Sequence, residues 1–181
     1  KRSQMTEVRS QSSVRHKLPL HALLFLPLLL TACRVNYSFT GGDVGQAKTF
    51  TVETFQARAP LATAQSAQTF TETLRDLLQA QTPLDQVRTN ADVKYDGEIT
   101  GYDVQPVSIQ ASETAALNRL TITVSVRFTN ATDKTKNSEF SVSRFSDYNS
   151  SQDLSAVEAG LVEAIGKLIA QDIFDRTLGN W

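Results

Sequence analysis

Between Leu120 and Phe128 every second residue is apolar: Leu120, Ile122, Val124, Val126 and Phe128 alternate with Thr121, Thr123, Ser125 and Arg127. Only an extended strand gathers such a series on one side, because successive side chains in a strand point to opposite faces. The chain must therefore build a sheet that is apolar on one face and polar on the other. Three further segments carry the same period. Phe50 and Val52 oppose Thr49, Thr51 and Glu53 within Lys48 to Phe55. Val93, Tyr95, Gly97, Ile99 and Gly101 oppose Lys94, Asp96, Glu98 and Thr100. Phe140 and Val142 oppose Glu139, Ser141 and Ser143. Leu84 to Thr89 reads as a short extra strand before the turn Asn90-Ala91-Asp92. Residues 104–116, with Pro106, read as a long connection, and Asn130 to Asn137 as a polar turn whose Lys134 and Lys136 are solvated.

Two segments have the helical period instead. From Thr63 to Gln81, the residues Ala67, Phe70, Leu74, Leu77 and Leu78 form one apolar stripe, and Pro83 ends it. Leu154, Val157, Leu161, Ile165, Leu168, Ile169 and Ile173 form a longer stripe, with Asp153 or Ser155 as its cap and Gly179 past its end. Two amphipathic helices suffice to cover one apolar sheet face. The expected fold is an α/β two-layer sandwich with both helices packed on one face and the polar face open. The first strand should reach a parallel neighbour through the first helix, by a right-handed crossover. The later strands should pair as antiparallel hairpins.

The N-terminal part stands outside this domain. Arg9, Arg15 and Lys17 precede an apolar run that closes with Leu30-Thr31-Ala32-Cys33. A basic region, a short apolar run and a small-residue cleavage site make a secretory signal. Leu18 to Ala32 supplies 15 residues, short of the ~20 a spanning helix needs. Leu-Thr-Ala-Cys looks like the lipobox of bacterial lipoproteins. Signal cleavage is then expected between Ala32 and Cys33, with diacylglycerol on the Cys33 thioether and an acyl chain on the new amino terminus. The expected organisation is a lipoprotein signal peptide over 1–32, a lipidated tether over 33–47 and an α/β domain over 48–181. Arg34 is not the Asp that retains many such proteins in the inner membrane, and no acidic run follows. The expected location is the outer membrane, lipid-anchored, on the periplasmic side.

Loss of residues 1–32 removes five of the 18 basic and one of the 19 acidic residues, leaving 149 residues with a net charge of −5. An acidic domain without a basic stripe is a poor partner for nucleic acid. Both histidines, His16 and His21, leave with the signal, and the only cysteine is Cys33. That removes His-based acid–base chemistry, Ser-His-Asp and Cys-His triads, and His/Cys metal sites. No Gly-rich phosphate loop is present. The expectation is a protein that is not an enzyme and takes no cofactor and no metal.

The mature chain resembles the LptE family, lipoprotein partners of the lipopolysaccharide-inserting outer-membrane barrel LptD. The resemblance is carried by Asn36-Tyr-Ser-Phe-Thr-Gly41, Gln68-Thr-Phe-Thr-Glu72, Gly97-Glu-Ile-Thr-Gly-Tyr102 and Glu113-Thr-Ala-Ala-Leu-Asn-Arg-Leu-Thr-Ile-Thr-Val124. Asp172-Ile-Phe174 and Asn180-Trp181 continue it at the C-terminus. The likeness spans essentially the whole mature chain, although each motif is strand or helix pattern rather than chemistry. It implies a mixed, roughly four-stranded sheet with two helices. It also implies a seat as a plug in the LptD lumen, where the protein assists barrel assembly and passage of lipopolysaccharide to the outer leaflet, with lipopolysaccharide as a candidate second partner.

The lumen of an outer-membrane barrel is polar, and so is the expected open sheet face; this face, or the loop at 104–116, is expected to meet the barrel wall. Lys94, Glu98, Arg119, Thr123 and Arg127 are its candidate partner-facing residues. Arg119 and Arg127 suit lipid A phosphates; the plainer reading sets them opposite carboxylates on neighbouring strands. Asp96 and Glu98 lack the enclosing cleft that an acid pair needs. Tyr37, Phe39 and Trp181 are either partner contacts or packing on the domain. The other functional class is a periplasm-facing lipoprotein module of another envelope complex, or a carrier of a small apolar ligand.

Overall fold

The computed structural model describes residues 42–107 and 116–179. Cys33, the cleavage site, Tyr37, Phe39 and Trp181 lie outside these. The elements run β1 (Thr49–Val52), β2 (Gln56–Ala57), α1 (Ala64–Gln81), β3 (Asp85–Gln86), β4 (Val93–Val107), β5 (Leu117–Asn130), β6 (Ser138–Asn149) and α2 (Leu154–Thr177). The sheet order is β3-β1-β4-β5-β6, with β2 also paired to β4. β1 and β2 run parallel to β4, and β1 runs parallel to β3. β4, β5 and β6 form an antiparallel meander. The mixed sheet with two helices on one face is therefore present: four principal strands, with β2 and β3 as two-residue additions.

The expected alternation governs the core. Phe50, Val93, Tyr95, Leu120, Ile122, Val124, Val126 and Phe128 are all within 1% of full burial. α1 meets them with Ala67, Phe70, Leu74 and Leu78, and α2 with Leu161, Ile165, Ile169 and Ile173. Burying each large side chain contributes about 1.5–3 kcal/mol. α1 starts with a capping box, the Thr63 side chain accepting from Ser66 N and the Ser66 side chain from Thr63 N. Asp153 occupies the cap position of α2 without a side-chain hydrogen bond.

Five expectations need correction. The first is the phase of β4. Ile99 pairs with Val124 and Gly101 with Thr123, so Thr100 is a bulge. One extra residue inverts the alternation. Gly101 moves to the polar face, and Tyr102 becomes the core residue, 3% exposed. The second is the connection over 104–116. Its residues to Val107 continue β4, with Pro106 opposite Asn118. There β4 has no neighbour on its other side among the described residues, and such a strand tolerates proline.

The third is the length of β6, which runs to Asn149 rather than stopping near Ser143. Its pattern is hidden because Arg144 lies on the helix side and Phe145 on the polar side. The Arg144 guanidinium bonds both oxygens of Asp172 on α2, at 2.7 Å each. The fourth is Leu168, which is 50% exposed. α2 spends its buried arc on two neighbours instead, with Val162, Gly166 and Ala170 turned toward α1. Lys136, expected to be solvated, pairs with Asp43 at 3.0 Å.

Candidate partner-binding face

The site is the sheet face that the helices leave open. Strand phase puts Lys94, Asp96 and Glu98 of β4 there. Arg119, Thr121, Thr123, Ser125 and Arg127 come from β5, and Glu139, Ser141, Ser143, Phe145 and Asp147 from β6. All five candidate residues of the sheet therefore lie on one surface, and the register decides what each of them meets. Asp96 pairs across from Arg127, Arg127 from Glu139, Thr123 from Ser143, and Arg119 from Asp147.

Those pairings are bonded. Lys94 Nζ lies 2.5 Å from Glu53 Oε1. Arg58 Nε donates to Glu98 Oε2 at 3.0 Å. Arg127 bridges Asp96 through Nη1 and Glu139 through Nε, each at 3.3 Å. Arg119 grips Asp147 with Nε at 2.7 Å and Nη2 at 2.8 Å, and its guanidinium lies 3.7 Å from the Phe145 ring centroid. Thr123 Oγ1 donates to Ser143 Oγ at 3.1 Å. Four cations thus face five carboxylates, and each of these cations has an anionic partner. The arrangement is charge set opposite carboxylates on neighbouring strands.

The electrostatics follow from the pairing. The hydrogen bond from Arg119 holds the Asp147 carboxyl below the usual carboxylate range, and Asp147 raises Arg119 in turn. The hydrogen bond to Glu53 raises the Lys94 ammonium. Glu53, Arg58, Asp96, Glu98, Arg127 and Glu139 surround a polar hollow of about 190 Å³ at one end of the face. Fixed, mutually neutralising ion pairs of this kind can match a polar wall by hydrogen bonding. They offer no concentrated positive field for a polyphosphate.

Glu53, Arg58, Phe145 and Asp147 belong to this surface and were not singled out in the sequence. Nothing local marks them, since each is defined by its cross-strand neighbour. The opposite side of the molecule carries a second depression, a cleft of about 550 Å³ between the helices floored by Leu77, Ala80 and Ala170, with Glu72, Asp76 and Glu163 among its lining residues.

The motifs that carry the resemblance prove to be packing devices. In Gln68–Glu72, Phe70 packs on Phe55 with ring centroids 5.4 Å apart. Buried Thr71 takes a hydrogen bond from Phe55 N at 3.0 Å. In Gly97–Tyr102, a Cβ on Gly97 would fall 2.8 Å from the Phe55 ring and 2.3 Å from Ser125 O. That segment also supplies the bulge and Tyr102. In the third motif Arg119 makes the Asp147 clasp, and residues 113–115 lie outside the described part. Asp172 holds Arg144, while Asn180-Trp181 is again outside.

Compared with known proteins, residues 47–177 match the family profile of LptE, described as lipopolysaccharide-assembly. Among solved structures, the chain is similar to a minor lipoprotein from Acinetobacter baumannii, at 14% identity and a TM-score of 0.47, covering 74% of this chain and 97% of that one. Rare lipoprotein B from Shewanella oneidensis is similar at 13% identity and a TM-score of 0.47, covering 70% and 90% respectively. Lipoprotein B from Nitrosomonas europaea is similar at 18% identity and a TM-score of 0.42, covering 71% and 80%. No curated protein matches the chain.

Proposed function

As the chain belongs to the lipopolysaccharide-assembly family LptE, we propose that it plugs the lumen of an LptD-like outer-membrane barrel with its open sheet face against the wall. Membership makes it an envelope lipoprotein of lipopolysaccharide assembly, with a non-enzymatic role. Lipid on Cys33 anchors it to the outer membrane on the periplasmic side. Lys94, Glu98, Arg119, Thr123 and Arg127 meet the barrel.

One observation supports this best: the face of paired charges and hydroxyls described above. A barrel lumen is polar, and a polar wall is met well by groups already held in place. Pre-set ion pairs lose little side-chain freedom on contact. The Arg119 and Arg127 guanidiniums are committed to carboxylates, so among the described residues this face holds no free guanidinium for lipopolysaccharide phosphates.

The test is recovery of the barrel from detergent-solubilised outer membranes with the tagged, lipidated protein. The parent chain should bring down a stoichiometric LptD-like barrel. The double variant Lys94→Glu, Arg127→Glu should lose most of it, because Glu53, Asp96 and Glu139 are then left facing like charge. Equal recovery by both would remove this face from the contact. A parent that recovers other envelope proteins and no barrel would instead favour a module of a different complex.

A further inference from the structure

α1 and α2 lie side by side on the sheet and run in the same direction. Thr63 and Ser66, at the start of α1, adjoin Ser155 and Val162 of α2. Toward the other end, Gln81 Nε2 donates to Gln171 Oε1 at 3.3 Å. Between these points the helices touch at Gly166, where a Cβ would stand 3.7 Å from the side chains of both Phe70 and Thr73. On the outer side of that contact the seam is lined by Thr69, Thr73 and Ala80 of α1 and by Ala170 of α2. These side chains are too short to fill the gap between two helix surfaces, and the cleft of about 550 Å³ is the result. Its size falls within the roughly 300–1,000 Å³ of ordinary binding sites. The floor is apolar: Ala170 is buried, Leu77 half-buried and Ala80 exposed.

The walls are negative. Glu72 and Asp76 stand one turn apart on α1, and Glu163 faces them across the seam from α2. All three are exposed. The cation of the lining, Lys167, is already engaged, its ammonium 2.6 Å from Glu163 Oε1. Among the described residues, no cation pairs with Glu72 or Asp76. α1 adds to the field, because its last turn carries no basic residue to offset the partial negative charge of a helix C-terminus.

We propose that this cleft receives a basic amphipathic segment of a partner protein. An aliphatic side chain sits on the Leu77 and Ala80 floor, and flanking lysine or arginine side chains meet Glu72, Asp76 and Glu163. Other occupants fail on geometry or on charge. Among the described residues no three ligating side chains are grouped closely enough to hold a metal ion, so the cation must be spread over several points. An anionic lipid headgroup has the wrong sign. A second copy is unsuited as well, since the mature chain is itself acidic, with a net charge of −5. The apolar contact supplies attraction, as for other segments laid in grooves, and the flanking charges set orientation and selectivity. The cleft lies on the side away from the open sheet face, so its occupancy does not depend on the barrel contact.

The test is an NMR titration of the full lipidated chain, in a non-ionic detergent, with the synthetic peptide acetyl-Lys-Lys-Leu-Lys-Arg amide. The methyl groups of Leu77, Ala80 and Ala170 should shift and saturate, while those of Val124 stay in place. Two variants separate the charges from the floor. The triple variant Glu72→Gln, Asp76→Asn, Glu163→Gln removes the acidic walls at exposed positions. Ala80→Phe fills the cleft and leaves the charge unchanged. Each should weaken binding about tenfold or more, with the Val124 signals of the parent retained as the sign of an intact domain. Absence of saturating shifts at the cleft overturns the proposal. Binding that survives the triple variant overturns it, and so does binding that survives Ala80→Phe, which would reveal diffuse attraction to an acidic surface. Equal shifts from a peptide with glutamate in place of every lysine and arginine would overturn it too.

Discussion

The Tyr102 hydroxyl donates to Glu158 Oε1 at 2.5 Å, joining β4 to the first turns of α2. The contact exists only because the Thr100 bulge inverts the strand. Without it, Tyr102 would project from the polar face.

Replacing Tyr102 by Phe keeps the ring and removes the bond, so stability should fall by about 1–2 kcal/mol, read as a lower urea midpoint with unchanged slope. Burial, then the bond to Glu158, push the Tyr102 phenol well above its ordinary value of 10.0. Burial does the same to Tyr95, whose hydroxyl is 2.9 Å from Thr177 Oγ1. Both groups have folded-state values above their unfolded ones. Their contribution is therefore intact below about pH 10 and is lost as pH climbs toward the folded values. The melting temperature should hold from neutral pH to that point and fall beyond it. Each Tyr→Phe variant should flatten the fall.

Gly97 leaves the space that Phe55 fills. A Cβ there would also overlap the Ser125 carbonyl, which belongs to the sheet and cannot swing aside. Gly97→Ala should cost about 1–3 kcal/mol, measured by chemical denaturation. Gly160, in α2, has open space where its Cβ would be. Gly160→Ala should stabilise by about 0.5–1 kcal/mol. Similar effects at both positions would contradict the packing account.

Thr71 Oγ1 accepts from Phe55 N at 3.0 Å and donates to Ala67 O at 2.7 Å, all of it buried. Thr71→Val preserves shape but strands the Phe55 N–H, at a cost of about 1–3 kcal/mol. Thr71→Ser keeps the acceptor and forfeits one methyl group, about 0.8 kcal/mol. Valine should therefore be the worse replacement in equilibrium unfolding, although it is the more apolar.

The Asp147 carboxyl is held below its ordinary value by the Arg119 hydrogen bond. A depressed folded value gives a contribution that is present above the unfolded value and is lost as pH falls through the folded one. Melting temperatures recorded downward from about pH 5 should decline less in Asp147→Asn than in the parent. High salt should shrink the difference, since this pair is at the surface.

By itself, the sequence determined the layered fold. The alternation from Leu120 to Phe128 and the stripes through Phe70 and Ile165 report which side of each element faces the core, and hydrophobic burial obeys that local period wherever the backbone is regular. It also indicated which residues would share the polar face. It did not reveal who meets whom. The partners Lys94–Glu53, Arg58–Glu98 and Arg119–Asp147 are far apart in the chain, and only the register of neighbouring strands brings them together. The phase of Tyr102, the burial of Phe55 over Gly97 and the exposure of Leu168 were likewise settled in three dimensions. A single bulge residue inverts every side chain after it, a missing Cβ is filled from another strand's end, and a helix lying against two neighbours must leave part of its apolar stripe uncovered.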